Sequence, residues 1–104
     1  MPNLVLTYTL RPGVAKDDFE AWVRDTDYPA MRGLKRVGSF VTYRAEQRLI
    51  GEGPPPFDYV ELFAIEDMAG FTAEDMPGDT VQRIMGEFFG FVENPAFTIV
   101  AEVK

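Results

Sequence analysis

Apolar and polar residues alternate along "NLVLTYTL" at 3–10, placing Leu4, Leu6, Tyr8 and Leu10 on one face and Val5, Thr7 and Thr9 on the other. A two-residue period is that of a β-strand. Arg11-Pro12-Gly13 reads as a turn, and beyond it the period changes. From about Ala15 a helix is predicted, with a buried stripe of Phe19, Trp22, Val23 and Thr26. Asp17 and Asp18 fall in its first turn, where the helix dipole favours negative charge. "VGSFVTYRAEQ" at 37–47 is a second strand, and "EGPPPF" at 52–57 a stiff loop, because proline fixes φ and donates no hydrogen bond. "FDYVELFAIE" at 57–66 is the clearest strand, with Tyr59, Glu61, Phe63 and Ile65 against Val60, Leu62 and Ala64. Asp67 is placed to cap a short turn through Phe71. A second helix starts near Asp79 or Thr80, buries Val81, Ile84, Met85, Phe88 and Val92, and frays at Gly90. "NPAFTIVAEV" at 94–103 is the fourth strand.

The order β-α-β-β-α-β predicts an α+β fold of the ferredoxin-like kind, a four-stranded antiparallel sheet with two helices on one face. Residues 1–104 form a single domain, with no repeat, linker or low-complexity segment. A sheet face meeting water should be polar. Strands 1, 3 and 4 instead carry large apolar side chains on both faces. A second copy of the chain is the most economical cover, so a homodimer is expected.

Composition narrows the chemistry. The chain has no cysteine and no histidine. That excludes disulfides, thiolate metal sites, Ser-His-Asp and Cys-His catalysis, and leaves only carboxylates as anionic metal ligands. No metal and no cofactor are expected. A net charge of −7 would repel a phosphate backbone, so no nucleic acid partner is expected. RNA-recognition modules share this element order and display strand aromatics, as Tyr8, Tyr59 and Phe63 would, but basic residues around the third strand are missing. No stretch approaches a membrane span and no export signal is seen, so no membrane partner and a cytoplasmic location are expected.

Two places carry candidate chemistry. In "WVRDTDYP" at 22–29, Pro29 should bend or break the first helix near Asp27. On one reading Asp27 then caps a restarted turn, Arg24 pairs with a carboxylate and Trp22 is core. On the other, Asp27 and Tyr28 stand at the mouth of a cavity, where a desolvated Asp27 moves protons and Arg24 holds an anionic substrate group. Glu61, between Tyr59 and Phe63 on one strand face, is the second place. Either it is partly exposed or paired with Arg44 or Arg48, or it is a buried general base. Tyr8, Tyr43 and Tyr59 offer phenols on apolar bodies, and Phe89 lies off the helical stripe where it could face a cavity. Arg11-Pro12-Gly13-Val14 invites comparison with acylphosphatase loops, but the helper asparagine is missing, since the asparagines here are Asn3 and Asn94.

The passage "FEAWVRDTDYPAMRGLKRVGSF" resembles the helix-to-strand segment of dimeric α+β barrel proteins. Its Arg24-Asp25-Thr26-Asp27-Tyr28-Pro29 fits the Arg-x-x-His-x-Pro pattern of the EthD-like branch, with Asp27 in the histidine's place. "FDYVELFAIEDMAGF" and "VQRIMGEFFGFVENPAFTIVAEV" are similar to the REDY-like, HapK-type proteins of the same superfamily. The resemblance implies a homodimeric barrel and, for some members, a link to biosynthesis of pyrrole pigments of the prodigiosin type. The resemblance transfers no catalytic residue. The residues themselves carry the expectation of a flat, apolar or aromatic small metabolite, handled by Asp27, Tyr28 and Glu61 and contacted by Tyr8, Trp22, Arg24, Tyr59, Phe63 and Phe89. The alternative is a non-catalytic binding or protein-interaction module.

Overall fold

Antiparallel pairing of all four predicted strands builds one sheet in the order β2-β3-β1-β4 in the computed structural model, which describes residues 1–104. The strands are β1 (Leu4–Leu10), β2 (Val37–Arg44), β3 (Tyr59–Ile65) and β4 (Val92–Ile99). The helical elements are α1 (Lys16–Trp22), α2 (Tyr28–Arg32), α3 (Met68–Gly70) and α4 (Asp79–Phe91). Two π turns, Val23–Asp27 and Phe71–Asp75, follow α1 and α3 directly. The architecture is the expected ferredoxin-like α+β one. The strands come out shorter than the alternation suggests. β2 stops at Arg44, β3 lacks the first two and the last of its predicted residues, and β4 ends at Ile99.

The helices cover the face on which Leu6 and Tyr8 of β1 and Tyr59, Glu61, Phe63 and Ile65 of β3 are buried. Phe19, Val23 and Met31 press on that face from the first helical layer, and Val81, Ile84 and Phe88 from α4. Phe40 of β2 stacks flat on Phe63, ring centroids 4.1 Å apart. Across the opposite face run the half-buried Val5, Val41, Val60 and Leu62 with the exposed Tyr43, and no element of the chain covers them.

Pro29 does not break the first helix, and this corrects the sequence expectation. Asp27 and Tyr28 keep right-handed helical dihedrals, and the Tyr28 amide bonds to the Val23 carbonyl five residues back. Widening the helix by one residue accommodates the missing proline N–H, so α1, the π turn and α2 follow one another without a break. Asp27 therefore caps nothing: its side chain makes no capping hydrogen bond, and it points inward. Asp67 does cap, accepting from the Gly70 amide at 3.0 Å. At α4 the cap position falls on Gly78, one residue before the predicted start, and Asp79 opens the first turn instead.

α4 passes into β4 without a loop, so the last strand begins at Val92, two residues earlier than expected. Asn94 has φ of +54°, and the β1–β4 register shifts between Thr7 and Thr9. This is a bulge in β4: asparagine tolerates the left-handed region and Pro95 has no amide to offer a ladder.

Candidate functional site

Glu61 stands in the middle of β3, opposite Leu6 on β1 and Thr42 on β2, so it projects with Phe63 and Tyr59 under the helices. It is 2% exposed. Its partner is neither Arg44 nor Arg48 and it is not partly exposed, which corrects the structural alternative. Arg44 binds Glu20 and Glu46, and Arg48 donates to the Pro54 carbonyl. The Tyr8 phenol donates to Glu61 instead.

Asp27, the last residue of the first π turn, comes to the same place from the helical side and is 3% exposed. No protein donor bonds its carboxyl, which opens onto a largely apolar cavity. Desolvation raises the Asp27 pKa to about 7, offset in part by the Arg32 charge. Burial likewise raises Glu61 to about 8, the Asp27 charge adds to this, and the Tyr8 hydrogen bond pulls the other way. Tyr8 is driven far above its ordinary value by burial and by the Glu61 charge, so it stays a phenol and a donor. Near neutrality the two carboxyls titrate as a pair and hold at least part of a proton between them.

Both carboxyls open onto one cavity of about 60 Å³. They are its two polar walls, and the other eleven lining residues are hydrophobic. Phe63 is one, and Phe71 and Met76 close the end beneath the second π turn. Phe97 of β4, 44% exposed, brings the cavity to the surface. A low-dielectric lining is what keeps the carboxyl pKa values high, and a carboxylic acid pair near neutrality can both take and give a proton.

The structure divides the remaining candidates. Tyr8 adjoins the cavity through its bond to Glu61. Tyr28, Arg24 and Tyr59 line a separate polar cleft of about 160 Å³, together with Glu20, Thr42 and Arg44. There the Tyr28 hydroxyl accepts from the Thr42 amide at 2.8 Å, and Arg32 donates to the Phe40 carbonyl at 2.7 Å. These two side chains satisfy the outer edge of β2, an edge that would otherwise be open to pairing. Tyr59 donates to Glu20 at 2.6 Å, and Arg44 with Tyr59 holds Glu20 down to about 2 against the desolvation that opposes them. The Thr42 hydroxyl is buried with no protein partner. Trp22 packs on Phe19, Phe88 and Phe91, and its indole donates to Glu87 at 2.8 Å. Phe89 lies at the surface beside Phe97.

Phe71, Met76 and Phe97 are cavity walls that the apolar pattern does not single out. Phe71 and Met76 did give a signal, as apolar residues in an otherwise polar stretch. Phe97 gave none, because the β4 bulge decides which way it points.

Known structures share this architecture over nearly the whole chain. The crystal structure of HapK from Hahella chejuensis is 27% identical, with a TM-score of 0.75 over 100% of this chain and 96% of that one. An EthD family protein from Bacillus halodurans is 16% identical, with a TM-score of 0.71 over 99% of this chain and 100% of that one. A dimeric ferredoxin-like protein of unknown function from Thermobifida fusca is 11% identical, with a TM-score of 0.71 over 96% and 89%. The last two show the fold alone. No curated protein matches the sequence. The family model described as REDY-like protein HapK matches residues 2–103, and the chain belongs to that family.

Proposed function

We propose that the chain acts in the cytoplasm as a homodimeric α+β barrel that binds a flat, apolar small metabolite, with Asp27 and Glu61 moving protons on it. The observation that carries this reading is the lining itself: two buried carboxyls in an otherwise apolar cavity. Burying two such groups side by side is costly, and a purely structural core would use apolar side chains there. Tyr8 steadies Glu61, and the two carboxyls share a proton near neutrality. One proton leaves the substrate for the ionised member of the pair and one returns to it from the protonated member, which suits cyclisation or tautomerisation of an electron-rich ring. A cavity of about 60 Å³ takes the reacting end of such a molecule. The rest would lie outward along Phe97, Phe89 and Ile99, which are exposed.

Membership of the HapK family supports a place in the biosynthesis of pyrrole pigments of the prodigiosin type, as an enzyme or an accessory to one. The second copy is supported by the uncovered apolar sheet face, and the Thermobifida neighbour of the same fold is itself dimeric. No helix of the chain is long and apolar enough to cross a membrane. The small cavity favours a second reading, a binding module without turnover.

The test is titration with pyrroles and polyketide-like aromatics, read by the emission of Trp22, which packs on the cavity residue Phe88. A saturable change is expected, and a flat response across the series overturns the proposal. Asp27→Asn and Glu61→Gln then separate the two readings. Loss of pathway output with binding retained means proton transfer, and unchanged output means a binding module.

A further inference from the structure

The cavity walls also define the charge of what enters, an inference that rests on the small-molecule reading above. Asp27 has no protein donor. Glu61 has Tyr8 on one oxygen and no donor on the other. No cation of the chain lines the cavity. Arg32, whose charge reaches Asp27, donates through Nε and Nη2 to the Phe40 carbonyl, lies 3.7 Å over the Tyr28 ring and does not line the cavity. Arg36 is held by Asp67, Glu74 and Asp75, and Arg44 by Glu20 and Glu46. No basic side chain of the protein is therefore placed to pair with these carboxyls, and the space between them is open to a cationic group.

Four phenylalanines, Phe63, Phe71, Phe88 and Phe97, share the cavity with the two carboxyls. Aromatic faces attract cations through the ring quadrupole, most strongly where water is excluded. Carboxyls flanked by aromatic rings are the chemistry that recognises an organic ammonium or iminium group. They reject a carboxylate or phosphate, and the net charge of −7 acts in the same direction at long range.

We infer that the ligand is a nitrogen base with an apolar body, bound as its conjugate acid with the charged nitrogen between Asp27 and Glu61. Entry of a cation favours the ionised carboxyls, so binding at neutral pH releases protons from the pair to solvent. The groups that bear on this titration are Tyr8 from β1 and Arg32 from α2. The second π turn, α4 and β4 face the cavity with apolar side chains.

The experiment is calorimetric titration of the full chain at pH 7 with benzylamine, benzyl alcohol and benzoate, in two buffers of different ionisation enthalpy. Benzylamine is expected to bind at least about tenfold tighter than benzyl alcohol and to release protons, and benzoate to give no saturable heat. In Asp27→Asn the benzylamine advantage should disappear and benzyl alcohol binding remain. Should that variant not fold, Glu61→Gln carries the same expectation. Benzyl alcohol or benzoate binding as tightly as benzylamine, or benzylamine binding without proton release, overturns the cation inference and leaves the cavity reading standing. Silence from all three probes overturns both.

Discussion

The hydroxyl of Tyr8 donates to the carboxyl of Glu61 across neighbouring strands, and this bond is the one protein hydrogen bond that Glu61's side chain has. Tyr8 faces Tyr59 in the ladder and Glu61 faces Leu6, so the contact is a diagonal one, within reach of a long aromatic side chain. Tyr8 is itself locked between Phe19, Tyr59 and Phe88, with ring centroids at 5.8, 5.9 and 4.8 Å. The phenol therefore positions Glu61 and is not free to contact a ligand.

Tyr8→Phe keeps the ring packing and removes the donor. A buried carboxyl deprived of its partner costs roughly 1–3 kcal/mol, which urea unfolding at pH 7 should read as loss of stability. The Glu61 pKa should also climb beyond about 8, since the bond that lowers it is gone. Infrared titration of the carboxyl band checks this. An unchanged Glu61 titration in Tyr8→Phe would show that the bond carries no weight in the site.

Gly70 is fixed by crowding, not by its dihedrals. A β-carbon there would lie 2.6 Å from Arg36 Nε and closer still to the Asp67 carboxyl. That carboxyl caps Gly70 and ties to Arg36, which also binds Glu74 and Asp75 of the second π turn. Gly70→Ala is expected to push Asp67 off its cap and loosen the segment whose Phe71 and Met76 close the cavity. A lost cap costs about 1 kcal/mol, more than alanine's intrinsic advantage can return in so short a helix. Faster amide exchange from Phe71 to Met76, measured against an unchanged sheet, is the signature to look for.

The uncovered sheet face makes a separate prediction. Leu62 pairs with Val5 on one side and Val41 on the other, at the centre of that face. Leu62→Lys would leave a lone protomer intact while placing a charge in the middle of a dimer interface. The proposed homodimer should fall to half its mass by light scattering, with circular dichroism unchanged. Wild-type protein that is already monomeric at micromolar concentration contradicts the homodimer.

Strand and helix periods made most of the architecture readable, because a face buried on one side writes itself into every second or every third and fourth residue. Tyr59, Glu61, Phe63 and Ile65 are read correctly from alternation alone, and Glu61 is conspicuous there as the one charge on a buried face. Asp27 is harder. Pro29 two residues later predicts a break and hence a cap, but a π turn is a tertiary solution with no local signature, and it changed the direction of the carboxyl. Tyr28 and Arg24 looked like companions of Asp27 because they are neighbours in sequence. Adjacent helical residues diverge by about 100°, which turns Tyr28 away from Asp27. Arg24, three residues before Asp27, would share its face on an α-helix, but the wider π turn that holds both separates them. Both Tyr28 and Arg24 line the polar cleft.

The two cavity carboxyls also set an unusual dependence of stability on pH. Asp27 and Glu61 have folded pKa values of about 7 and about 8, above their ordinary 3.8 and 4.5. A group raised on folding binds more protons in the native state, so its stabilisation is complete below the unfolded pKa and is lost as pH rises through the folded one. Glu20 acts oppositely. Its folded pKa of about 2 lies below its ordinary 4.5, so its contribution is present above 4.5 and lost as pH falls towards 2. The profile should therefore rise from pH 2, peak near pH 4 to 5 and decline steadily up to pH 8. The stability maximum of most proteins lies between about pH 5 and 8. Asp27→Asn and Glu61→Gln should each flatten the alkaline limb and leave the acid limb in place. Glu20→Gln should flatten the acid limb alone. Urea midpoints taken at half-unit steps from pH 3 to 9 resolve the two limbs. A wild-type curve that rises between pH 5 and 8 would mean that the two carboxyls reach water and that the cavity is not the dry site described above.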